Sequence, residues 1–243
     1  MVHNGSVSIP HSIAKLLRLA KEPLCNTMYV WGGGWNETDT GAGIEARTLG
    51  LSPSWASFAA KQKASYDYHN TLFQIHDGLD CSGFIGWLIY NLLATENGKE
   101  GYVFPACEVA FQLSKHGFGT FTPAGQVTDW QPGDILSAHD HVWLSLGMCE
   151  DGSVVMLHAT PPGVILSGTK LPYGDEESKA EELAAKYMKT YYPEWYEKFP
   201  KHSREYACLA ESGRMRWSEE VLEDAEGFRK MEAKEVLKWI FKK

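Results

Sequence analysis

The sequence predicts an α+β fold in which a helix beginning at a cysteine packs on an antiparallel meander, with an added helical C-terminal segment. Three observations predict it. CSGFIGWLIYNLLA carries Phe84, Ile85, Leu88, Ile89 and Leu92 at helical spacing, so a helix starts at or just after Cys81. The strand-like segments GDILSA, HVWLSLGM, SVVMLHAT and GVILSGT follow, marked off by the turns Gln131-Pro132-Gly133, Glu150-Asp151-Gly152 and Pro161-Pro162-Gly163. From about Leu171 the chain is charged, and ESKAEELAAKYMK and EAKEVLKWIFKK read as helices. A helix followed by a run of strands indicates α+β rather than α/β.

The 243 residues suit a single domain with a core over about 10–170, a long insertion at 36–78 and a helical extension at 171–243. Within residues 10–21, Ile13, Leu16, Leu17 and Ala20 share one helix face. MYVWGGGW follows as a short hydrophobic piece ending in glycines, which lack the P-loop pattern and let backbones approach closely. Residues 36–78 are irregular apart from a helical patch near SWASFAAKQKASYDY, and an excursion of that length is usually functional or lid-like. YYPEWYEKFP is an aromatic connector in the tail, and Lys238, Lys242 and Lys243 fall near a helix C-terminus, where the dipole favours cations.

The formal net charge is −8, so the basic field of a nucleic-acid binder is missing. The same charge argues against adhesion to anionic lipid. FIGWLIYNLLA, from Phe84 to Ala94, is too short to cross a bilayer, and Lys15 and Arg18 interrupt the apolar run that a leader needs. A soluble chain is expected, with secreted and cytoplasmic locations both open. Cys25, Cys81, Cys107, Cys149 and Cys208 are odd in number, scattered and form no C-x-x-C pair, which predicts neither a zinc site nor a disulfide framework. Four of them read as buried thiols, and no cofactor is expected.

Cys81 is the exception. At the first turn of a helix, unpaired N–H groups and the dipole are expected to lower a thiol from its usual pKa of about 8.5. A reactive thiol needs an imidazole, and the imidazole needs a third group to orient it. His139, His141 and His158 are the candidates from the strand zone. A hairpin about Glu150-Asp151-Gly152 would bring positions 141 and 158 together at its open end, so that His158 holds the His141 ring from behind. His139 is the rival base, but His139-Asp140 reads as a turn and the strand alternation begins at His141.

Tyr29–Gly33 (YVWGG), Asp80–Phe84 (DCSGF), Pro132–Leu136 (PGDIL), His141–Gly147 (HVWLSLG) and Leu157–Ala159 (LHA) together resemble, in that order, the NlpC/P60 cysteine peptidases, which have a papain-like fold. The resemblance covers about Tyr29 to Gly168. It implies Cys81 as nucleophile, His141 as base and His158 as the orienting residue. It also implies that Tyr29 faces the nucleophile and helps bind substrate or the developing oxyanion. Asp80 would contact the substrate's polar end or cap the helix, and Ser82 would lie in the substrate-binding turn. The expected activity is hydrolysis of amide bonds in bacterial cell-wall peptides, often between γ-D-glutamate and a diamino acid, without a metal. An amidase or acyltransferase acting on a non-wall intracellular amide keeps the same triad. A non-catalytic binding module with an occluded groove is the alternative from another class.

Overall fold

The computed structural model describes residues 11–93, 99–173 and 176–242; residue 10 of the first predicted helix, Ala94 and Lys243 lie outside the described residues. In chain order the elements are α1 (Ile13–Lys21), β1 (Met28–Tyr29), α2 (Pro53–Lys61), β2 (Gly78–Leu79), α3 (Cys81–Leu93), α4 (Val109–Lys115), β3 (Gly119–Thr122), β4 (Ile135–Ser137), β5 (Val142–Met148), β6 (Val154–Thr160) and β7 (Gly163–Thr169). They continue with α5 (Lys179–Tyr191), α6 (Pro193–Lys198), β8 (Ser203–Arg204), α7 (Ala207–Glu211), β9 (Gly213–Trp217) and α8 (Ala233–Ile240). Single 3-10 turns at Glu45–Arg47 and Tyr68–Thr71 punctuate the insertion. The fold is α+β, built on one mixed sheet of order β2-β1-β7-β6-β5-β4-β9-β3, with β8 alongside β7.

The predicted meander is present as β4 to β7, antiparallel throughout, with Leu144 opposite Leu157 and His158 opposite Ile165. Two short parallel pairs, β1–β2 and β7–β8, make the sheet mixed. Helix α1 starts where Ser12 caps it, accepting from Lys15 N–H at 3.1 Å, and it buries Ile13, Leu16, Leu17 and Ala20 as its spacing predicts. Helix α3 is apolar on every side and correspondingly buried at every described residue but Tyr90. It packs against α1 and the strands β5 and β6.

The tail departs from a purely helical extension. GRMRW becomes β9, which slots between β4 and β3, Met215 facing both Ile135 and Phe121. Its period of two drives this: Met215 and Trp217 are buried in the core, while Arg214 pairs with Asp129 at 2.7 Å and Arg216 with Asp134 at 2.6 Å. The aromatic connector folds as α6, opened by Pro193 in its first turn. Leu209 of α7 lies on Leu136, Trp143, Val154 and Met156, a second small core on the sheet face away from α3. Both faces of the meander are therefore covered, so β5 is buried at every residue but Met148 instead of alternating. No helix among the described residues is long and apolar enough to cross a membrane.

Candidate active site

The site is assembled where the N-terminus of α3 meets the glycine run after β1 and the turn between β4 and β5. Asp80 caps α3. Its Oδ1 accepts from Gly83 N–H at 2.7 Å and from the Ser82 hydroxyl at 2.9 Å, and its Oδ2 accepts from Gly32 N–H at 3.3 Å. Trp35 Nε1–H in turn donates to Ser82 Oγ at 2.9 Å. The glycine run is here because nothing larger fits: a Cβ on Gly83 would lie 1.9 Å from Gly33 O, and one on Gly34 would lie 2.5 Å from Gly83 Cα. Asp80 and Ser82 thus spend their polar atoms on holding the turn that carries Cys81.

Cys81 is the first residue of α3 and 7% exposed. The backbone N–H groups of Val142, Ser82 and Cys81 itself lie near its sulfur and favour its thiolate, which puts the thiol beside the His141–Val142 peptide. Tyr29 is buried with its phenol near both Cys81 and Asp80. His141 Nε2 lies 2.7 Å from His158 Nδ1, and His158 Nε2 lies 2.9 Å from Ser167 Oγ on β7. With His141 Nε2–H donating to His158, and His158 Nε2–H donating to Ser167, the Nδ1 of His141 is left as a free base. No hydrogen bond joins the Cys81 thiol to the His141 ring among the described residues. His139 is exposed on the turn, whereas His141 carries the contact to His158.

The electrostatics overturn one expectation. Burial first, then the neighbouring Asp80 carboxylate, push the Cys81 thiol up to about 12, against the three N–H groups that favour a thiolate. Burial also pushes His141 down to about 3, helped by the cations of Arg204 and Lys201. Desolvation outweighs the helix terminus, and the resting pair is a neutral thiol with a neutral imidazole. Iodoacetamide alkylation of Cys81, read by peptide mass spectrometry, should therefore rise about tenfold per pH unit between pH 6 and 9. A plateau below pH 7 would instead mean a preformed ion pair.

Asp80 supplies a second pH dependence. Its carboxyl is raised to about 6, chiefly by burial, while the hydrogen bonds it accepts pull the other way. The folded protein thus retains a proton that the unfolded chain releases above about pH 4, and stability falls as pH rises from about 4 to 6. The full shift corresponds to about 3 kcal/mol. In urea titrations at pH 4 and 7, Asp80→Asn should lose this part of the slope; parallel wild-type and variant profiles would refute the assignment.

No family model, curated protein or solved structure matches this chain. The site is read from its own geometry. The structure brings Tyr29, Asp80, Cys81, Ser82, His141 and His158 into one neighbourhood. Sequence reasoning missed Ser167 and Trp35, which anchor His158 and Ser82. Ser167 had a signal, because it is a polar residue that follows the apolar run VIL in the fourth strand of the meander. All five cysteines are free, and of the four read as buried thiols Cys149 is buried, Cys25 and Cys208 are half-buried and Cys107 is exposed. The insertion reaches the site: Tyr68 sets its ring edge-on to Tyr29 at 5.3 Å, and Tyr66 Oη–H donates to Tyr29 O at 2.7 Å.

Proposed function

We propose that the chain is a cysteine peptidase with a papain-like core of the NlpC/P60 kind, hydrolysing amide bonds in cell-wall peptides. The observation that carries the reading is the Cys81 thiol at the start of α3, one peptide unit from a His141–His158–Ser167 hydrogen-bonded chain. In the reaction, His141 Nδ1 takes the thiol proton as the sulfur attacks the amide carbonyl. The developing oxyanion is held by the Cys81 N–H and the Tyr29 hydroxyl. Protonated His141 passes its proton to the leaving amine, and the acyl group remains on sulfur as a thioester. Water, deprotonated by His141, then releases the acid and restores the thiol.

The neutral resting pair fits this order, because proton transfer and attack occur together once substrate excludes water. The assignment of a cell-wall peptide rests on the sequence motifs, and mass spectrometry of muropeptide digests tests it. Cleavage by wild type alone, beside Cys81→Ala, supports it, and the fragment masses name the bond. Inertness towards muropeptides together with hydrolysis of an intracellular amide would move the substrate class and keep the chemistry.

A closed, non-catalytic groove is the competing reading, and the burial of Cys81 with Tyr68 resting on Tyr29 favours it. It requires Cys81 to resist alkylation in the native protein even at pH 9.

A further inference from the structure

The C-terminal strap over the histidine pair brings cations to it. Between α6 and α7 the chain crosses from the β6–β7 turn to the far end of β7. Lys201 Nζ–H donates to Pro161 O at 2.8 Å and reaches Thr160 Oγ1 at 3.5 Å. The same turn holds β1, since Tyr29 N–H donates to Pro162 O at 2.8 Å. Thr160 is two residues beyond His158 on β6, so both side chains lie on one strand face about 7 Å apart. Arg204 pairs with Thr169 of β7, two residues beyond the Ser167 that anchors His158. Lys201 is exposed and Arg204 half-buried, and both act on the two histidine rings.

These two cations have no carboxylate partner among the described residues, in a chain whose net charge is −8. The acids of the strap are engaged elsewhere. Glu177 pairs with His202 at 3.6 Å and Glu205 with Lys170 at 2.6 Å. Glu181 accepts from the Ser203 hydroxyl and from Ser178 N–H. Each cation disfavours the charge of the other, and an arriving anion relieves both.

We propose that Lys201 and Arg204 form a carboxylate-binding subsite, taking a free carboxylate on the amine half of the substrate amide. The proposal rests on the reading of Cys81 and His141 as nucleophile and base. In that reading His141 hands its proton to the leaving amine, so the amine half lies against the histidines and faces the cations. The favoured substrate then ends, on its leaving side, in an amino acid or short peptide with an unblocked carboxylate. An amidated amine half leaves both cations without a carboxylate and binds more weakly.

The test compares alkylation of Cys81 by iodoacetate and by iodoacetamide, which differ in one negative charge. Wild type should favour iodoacetate relative to a free thiol, and Lys201→Gln/Arg204→Gln should lower the iodoacetate-to-iodoacetamide rate ratio about tenfold. An unchanged ratio with both reagents still reacting would overturn the subsite and leave the nucleophile standing. Should neither reagent react, the nucleophile reading fails, and acetate titration followed by imidazole NMR decides the subsite alone. Saturable shifts of the His141 and His158 resonances in wild type, lost in the double variant, support it; shifts equal in both proteins, or absent from both, overturn it.

Discussion

Replacing Cys81 by alanine is expected to lower amide hydrolysis at least about 10³-fold, because the covalent route is lost and the remaining groups offer only binding and oxyanion contacts. The fold should survive. The alanine Cβ keeps the first turn of α3, and the Asp80 cap contacts Gly83, Ser82 and Gly32 rather than the sulfur. The measurement is single-turnover hydrolysis beside thermal unfolding. Unfolding within a few degrees of wild type with turnover abolished supports the role of Cys81. Retention of more than a few per cent of wild-type turnover would sink it.

The largest effect on stability is expected at Gly83. An alanine Cβ there would lie 1.9 Å from Gly33 O, 2.9 Å from Gly33 C and 3.0 Å from Gly34 Cα, all of them backbone atoms. No flexible side chain can move aside, so α3 must shift away from the glycine run. That shift breaks the Asp80–Gly32 bond and strips Ser82 from Trp35. Gly83→Ala should cost about 4 kcal/mol or more and leave little folded protein. Gly41→Ala is the control: its Cβ meets only Asn36 Nδ2 at 3.9 Å, and a change within about 0.5 kcal/mol is expected. Urea unfolding of both variants reads the difference, and a Gly83→Ala midpoint matching that of Gly41→Ala would show that the close approach carries no weight.

Much of the architecture could be read locally. The strands β4 to β7, the start of α3 at Cys81 and the helices α5 and α8 were legible, because each is announced by periodicity and turn residues within its own span. The meeting of His141 and His158 was legible for a related reason: one hairpin carries both near its open end, and they meet there although its register shifts between Ser145 and Met148. What was not legible depends on segments far apart in the chain. GRMRW is strand-like by itself, but its place between β4 and β3 is settled only when those strands present their edges. The chemistry of Cys81 was misjudged on the same account. A helix terminus can be seen in the sequence, whereas the burial that overrides it is a property of the assembled fold. Lys201 and Arg204 were read as part of a charged tail, and only the path of the strap brings them to the histidines.

The position of β9 bears on how the molecule comes into being. During synthesis, Cys81, His141, His158 and Ser167 are all joined to the chain well before residues 213–217 emerge. Until then β4 ends the meander with an open row of N–H and C=O groups, and β3 has no neighbour in the sheet. Vectorial folding from the N-terminus therefore cannot finish the sheet, and its last seam closes by the insertion of a late strand between two early ones. Contacts of such long sequence separation form slowly. The nascent chain thus carries Cys81 and the two histidines through an interval in which its framework is still open, and completion of the sheet waits for residues 213–217.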